Sequence, residues 1–362
     1  MQTLMKNKEN RFIYAVKFIA CLFVITIHAR IPGTVGDIVM CAARFAVPFF
    51  FVVSGRYLLL DGEGNPVTDV PGIRRKLSKS IVKLIKVTAF VYLIHLIFSF
   101  TVNMIYKTPV SEYFSSKFNI IELRNFIMFN SSRVIHDWSY VFDHLWFLFA
   151  LLYVYVLIYI FAPVLRKWYK GLIALLLTLL YFGELLQTYY PIRPFDIVIT
   201  TPFMMRNWLF VGMPFVLLGI LFSDFICKVR EEKKEEASEY FNKLKIPAVI
   251  AIVLGLVISV IEAYLIDFKD VYFGSLIIVL GILFLSESAA YRGRILALLG
   301  KRASSNIYYY HVLVIAVLDL LSQNGFIPAY SMTQKPFIVM AVCFVLFCMG
   351  PLYFHGREEK RL

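Results

Sequence analysis

The chain has 362 residues, 60% of them hydrophobic and 17% aromatic, with a formal net charge of +13. Soluble domains hold about 45–50% apolar residues, and single soluble cores stop growing at about 250–300 residues, so this excess excludes one soluble globule and has to be hidden in lipid. The basic balance does not point to nucleic acid, because the charges fall in short links between apolar runs, where membrane orientation and anionic headgroups account for them.

A membrane span needs about 20 apolar residues. On that measure the runs predict an all-α integral membrane protein with about ten transmembrane helices, at 12–29, 37–60, 81–106, 141–165, 170–188, 206–226, 246–266, 271–290, 305–322 and 335–354. The first run follows Lys6, Lys8 and Arg11 but lacks a small-residue cleavage site, so it reads as a retained helix. With both termini placed in the cytoplasm, 26 of the 37 Lys and Arg fall in inner links and 9 in outer links, the remaining two, Lys17 and Arg44, lying within helices. That asymmetry obeys the positive-inside rule and supports the count of ten. No break in composition marks a second domain, so 1–362 reads as a single unit. The five cysteines form no Cys-x-x-Cys, and no Walker loop, GxGxxG or HExxH occurs, so neither a disulfide framework nor a metal is expected. The longest outer link, about 107–140, mixes aromatic and charged residues and is long enough to suggest a function; the mixed-charge stretch 228–245 suits a solvated cytoplasmic helix.

Ionisable groups within the membrane are costly, so each asks for a reason. In the first helix Lys17 and His28 are eleven residues apart, which places them on one face about 20° from alignment and about 16 Å apart along the axis. Snorkelling and interfacial placement would also explain them. In the second span, RFAVPFFFVVSGRYLL puts Arg44 inside the membrane, with Pro48 able to open the backbone nearby and Ser54-Gly55 expected to end the helix at the inner surface. The next link carries Arg74, Arg75, Lys76, Lys79, Lys83 and Lys86 at the inner mouth, more than topology requires and suited to a phosphate-rich cytosolic ligand. Asp143 and His144 open the fourth span, and Glu184, Arg206 and Glu262 also fall at outer helix ends. His95, His311 and Asp319 complete the ionisable set within the spans.

Taken in order, these segments resemble acyltransferase family 3, a family of ten-helix membrane acyltransferases. VKFIACLFVITIH is similar to the family's first-helix motif of an Arg, ten intervening residues and a His; here Lys17 stands at the Arg position and His28 at the His. Lysine keeps the charge but not the bidentate fork. RFAVPFFFVVSG resembles the aromatic run ending in Ser-Gly, HLWFLFALLYVY the His-Leu-Trp-Phe-Leu segment, NWLFVGMPFVLLGILF the Pro-Phe-x-x-x-Gly stretch, and SSNIYYYHVLVI the late Ile-Tyr-x-x-His helix that places His311.

The resemblance implies transfer of an acyl group, usually acetyl from acetyl-CoA, to a carbohydrate hydroxyl of the cell envelope, by a multi-pass protein of the plasma membrane. The donor phosphates would then sit on Arg74, Arg75, Lys76 and Lys79, with Ser54 beside them. The acceptor, an envelope glycan or lipid-linked sugar, would meet Asp143, His144, Glu184 and Arg206. His28 is the residue best suited to take the hydroxyl proton, or else to carry the acyl group covalently; Arg44, Lys17 and Arg206, in that order, could stabilise the oxyanion. Asp143 or Glu184 could orient His28. The alternative is a membrane transporter of a small substrate such as an amino acid or acyl donor; neither an inverted repeat nor paired broken helices support it. A purely structural subunit would leave Arg44 without a reason.

Overall fold

The computed structural model describes residues 10–137, 139–189, 206–266, 269–288 and 293–359, less the side chains of 184–189, 266 and 355–359. In chain order the helices are α1 (Arg11–His28), α2 (Gly33–Ala43), α3 (Ala46–Leu58), α4 (Val70–Ile105), α5 (Val110–Lys117), α6 (Ile120–Phe129), α7 (Trp146–Ile160) and α8 (Ala162–Tyr189). Then come α9 (Met213–Lys233), α10 (Ala237–Lys243), α11 (Lys245–Ile266), α12 (Phe273–Ser288), α13 (Arg294–Arg302), α14 (Ser304–Gln323) and α15 (Lys335–Glu359). A single β-bridge, Leu60 with Pro66, is the only extended pairing among the described residues. The chain is an all-α membrane protein. Eight segments among the described residues are long and apolar enough to cross a bilayer, with α2–α3 and the α9–α10 region each forming one such segment. The two remaining expected spans correspond to α8, which opens on Arg166, Lys167 and Lys170, and to α12, of which 16 residues are described, fewer than the usual span.

Local chemistry sets the helix ends. Asn10 caps α1 by accepting from the Ile13 N–H at 3.0 Å, and its amide donates to the Ser286 carbonyl at 3.0 Å. Asp69 caps α4 by accepting from the Gly72 N–H at 2.8 Å, with a proline in the first turn, where its missing N–H costs nothing. That cap starts α4 at 70 rather than at the expected 81. Its 36 residues are about 54 Å long, well beyond the about 30 Å of a hydrocarbon core. The basic segment is therefore helical and not a loose link.

Two other expectations need correction. The second span is broken at Arg44-Phe45, ahead of Pro48, and Pro48 sits in the first turn of α3 where it is tolerated. Ser54-Gly55 does not end the helix, because α3 runs through both to Leu58. Glycine is needed there for contact. A Cβ on Gly55 would lie 1.9 Å from the Val216 carbonyl oxygen, and one on Gly219 would lie 2.1 Å from the Val52 oxygen. The helices α3 and α9 touch backbone to backbone, a close approach that small residues permit.

Among the described residues the chain divides into two compact units, one of residues 51–228 and the other of the residues from 10 to 50 together with those from 229 onward. Within the first, α4, α7 and α8 pack together with the wide turn Trp208–Gly212. Within the second, α1 packs against α13 and α14, and α11 pairs with α12 through Gly255, Gly274 and Gly281.

Candidate functional site

The second unit holds the site's most reactive group. Three residues at seven-residue spacing on α1, Tyr14, Cys21 and His28, share one helix face. Each meets the segment Arg294–Gln323. A Cβ on Gly300 would lie 1.6 Å from the Tyr14 carbonyl oxygen, so only glycine lets α13 lie against α1 here. The Cys21 thiol donates to the Ser304 carbonyl at 3.2 Å. From Cys21 to His28 and from Ser304 to His311 is the same seven residues, about 10.5 Å along either helix. That shared register carries His311 to His28, with ring centroids 5.2 Å apart. His311 is wholly buried, and its Nδ1 lies 3.0 Å from the Ile307 carbonyl and 2.9 Å from that of Tyr308. His28, the last residue of α1, is half-buried.

An aromatic wall supports this pair. Phe45, Phe49, Phe50, Tyr308 and His311 stack in sequence with centroids 5.7 to 6.2 Å apart. The break at Arg44-Phe45 begins the wall. Arg44 Nη1 donates to Asp270 at 3.0 Å, so the membrane arginine has its counter-ion. Its buried Nε meets no acceptor among the described residues. Lys17 is half-buried over the Tyr14 ring at 5.8 Å.

The first unit holds a second histidine pair. His95 on α4 and His144, in the turn before α7, have ring centroids 5.3 Å apart, with exposures of 0% and 2%. His95 Nδ1 lies 2.8 Å from the Val91 carbonyl. Asp143 pairs with His136 at 3.0 Å. Arg206 lies over the Trp146 ring at 5.6 Å, and Phe51 packs on Trp146 and Phe147 at 5.9 and 4.4 Å. Beside them, Lys117 donates to Asp137 at 2.7 Å and lies 3.8 Å from the Phe142 ring centre, while Ser99 donates to Asp137 and accepts from Tyr113. Burial pushes the Lys117 ammonium below the usual lysine range, and Asp137 opposes that shift. Asp143, His144 and Arg206 thus gather at the start of α7; the side chain of Glu184 lies outside the described residues.

The basic face of α4 belongs to the same unit. Arg75, Lys79, Lys83 and Lys86 are all exposed and fall within about 80° of one another on the helix. Arg74 is exposed too, and donates to the Tyr159 carbonyl at 3.4 Å with its guanidinium over that ring. Lys76 donates to the Leu60 carbonyl. Ser54 is hydrogen-bonded to Tyr155, so its hydroxyl serves the α3–α7 contact. A network that sequence reasoning missed holds the adjoining loop. Arg166 donates to Asp224 and, at 2.8 Å, to the Val67 carbonyl, and Tyr169 donates to Asp224 at 2.7 Å. Cys227 and Ser223 donate to the carbonyls of Gly64 and Arg56.

Among the described residues no group of three or more His, Cys, Asp or Glu is arranged to hold a metal. The second unit offers a half-open imidazole and a fixed cation near the same aromatic wall; the first, taken by itself, offers a cationic helix face. These suit proton transfer and anion binding. Sequence reasoning named His311 without giving it a role and overlooked Asp270 as the partner of Arg44. A membrane arginine signals that a carboxylate must exist, but several acidic residues competed for the part. A family model described as an acyltransferase domain matches residues 10–355. No curated protein and no solved structure matches the chain.

Proposed function

The chain belongs to acyltransferase family 3, and on that premise we propose that it moves an acyl group, acetyl in the first instance, from cytosolic acyl-CoA to a hydroxyl of a cell-envelope carbohydrate. The observation that carries this reading is the half-open ring of His28, held at the end of α1 beside a fully buried His311. His28 takes the proton of the acceptor hydroxyl as its oxygen attacks the thioester carbonyl. The oxyanion is met by Arg44, whose buried Nε is a donor still available among the described residues. The carbon–sulfur bond then breaks, and the imidazolium returns its proton to the departing CoA thiolate, so the protein ends as it began. Lys17 adds positive charge on the His28 helix. The exposed basic face of α4, Arg75 and Lys79 above all, binds the CoA phosphates, with Arg74, Lys76 and Ser54 contributing from their own contacts. Asp143, Arg206 and Glu184 serve the glycan or lipid-linked sugar, while His144, 2% exposed, stays behind them in the turn before α7.

The charge asymmetry of the links supports ten spans with both termini cytoplasmic in the plasma membrane, which puts the basic residues on the donor's side. The test uses purified protein in liposomes with labelled acetyl-CoA. Release of free CoA that depends on added glycan acceptor supports the reading. Uptake of label with the thioester intact would overturn it in favour of a transporter. NMR of the surface polysaccharide from a strain lacking the protein should show one missing ester, which identifies donor and acceptor together.

A further inference from the structure

His311 has geometry that the proposed reaction has not yet used. Its Nδ1 faces two backbone carbonyls of its own helix, at 3.0 and 2.9 Å. Carbonyl oxygens only accept, so Nδ1 carries the proton and the neutral ring's lone pair is on Nε2. The ring is 0% exposed, and Tyr308 and the aromatic wall hold it against movement. Its register against α1 is fixed one helical stretch earlier by the Cys21–Ser304 bond and the Gly300–Tyr14 contact. The neighbouring His28 ring, 5.2 Å away between centroids, is the half-open member of the pair.

We propose that His311 is a positioning residue for His28: its Nε2 accepts the ring N–H of His28, which fixes the His28 tautomer, turns the opposite ring nitrogen toward the acceptor hydroxyl, and shares the positive charge once His28 is protonated. This rests on the acyl-transfer reading of His28. It assigns to a second histidine the part that a carboxylate plays in serine hydrolases. Catalytic hydrogen bonds of this kind tighten as the reacting complex forms. Asp143, one of the two acids that sequence reasoning offered for the same task, is paired with His136 instead.

Three variants separate positioning from packing. His311→Asn keeps an amide N–H that can reach the Ile307 or Tyr308 carbonyl but has nothing at the Nε2 position. His311→Gln extends an amide oxygen toward that position. His311→Ala has neither. We expect kcat to fall about 100-fold in Asn and Ala with the acyl-CoA KM within about threefold of wild type, and the Gln variant to recover about tenfold. A second readout needs no acyl transfer: the rate at which diethyl pyrocarbonate modifies His28, followed by mass spectrometry of the unliganded protein. It should drop severalfold in Asn and recover in Gln. A third needs no variant of His311: nitrogen NMR of histidine-labelled wild-type protein, assigned with His28→Gln, should show His311 protonated at Nδ1. Wild-type kcat and His28 reactivity in a well-folded Asn variant, or a His311 ring protonated at Nε2, would overturn the proposal. If wild-type protein never consumes the donor, the acyl-transfer reading fails, while His28 reactivity and the NMR tautomer still decide the pairing.

Discussion

The two histidine pairs are built alike and placed differently. Each couples a fully buried helical histidine, fixed through Nδ1 by its own backbone, to a second ring at a helix end, with centroids 5.2 Å apart in one pair and 5.3 Å in the other. The difference lies in the second ring. His28 closes α1 and is half-open, whereas His144 lies in the turn before α7 at 2% exposure. A backbone-locked imidazole is therefore a general way to satisfy a histidine inside a membrane helix. On the proposed mechanism, access to its neighbour decides whether chemistry can follow.

The sharpest way to break this contrast is His28→Ala. It should lower acyl transfer at least about 1000-fold while leaving the melting temperature of the purified protein unchanged. A variant that keeps full turnover would end the assignment of His28 as base. Next in size is Gly300→Val, which forces a side chain into the Tyr14 backbone. It should cost about 3 kcal/mol of stability, read from thermal unfolding in detergent, and should lower turnover by spoiling the His28–His311 register. The sealed pair should answer in stability: His95→Ala should cost about 2 kcal/mol by the same thermal assay, through loss of a buried, hydrogen-bonded ring. If it changed kcat and left stability intact, the distinction between open and sealed pairs would collapse. The smallest effect sharpens the comparison from the donor side. Lys79→Glu with Lys83→Glu should raise the acyl-CoA KM about tenfold, with kcat kept and the difference shrinking as salt is added.

Much of the architecture was legible because lipid enforces simple rules. Long apolar runs had to be helices, and the resemblance, carried by segments in order along the chain, gave the family that the match over residues 10–355 shows. The residues around these landmarks were harder to read for identifiable reasons. Gly55 reads as a breaker in a lone helix and becomes a contact residue only when Val216 is known to lie against it. The start of α4 was hidden because its charges resemble a link, and hydropathy cannot see an Asp69 cap. Arg44 announced a missing carboxylate, yet nothing along the chain singles out Asp270 until the fold closes. Arg166, Asp224 and Tyr169 drew no reading of their own from the sequence, because their shared hydrogen bonds join segments far apart along the chain.

The Arg44–Asp270 pair has a consequence for how the protein is made. The two residues are 226 positions apart. At ribosomal speeds of about 5–20 residues per second, the arginine is synthesised on the order of ten to forty seconds before its counter-ion. The whole of residues 51–228 is translated in that interval, so synthesis of the unit containing His28 is interrupted by that of the other. During the wait a charged helix break has to be sheltered by the insertion machinery or kept near the headgroups. Biogenesis of this enzyme is thus a closure event, in which a late segment completes the environment of an early one.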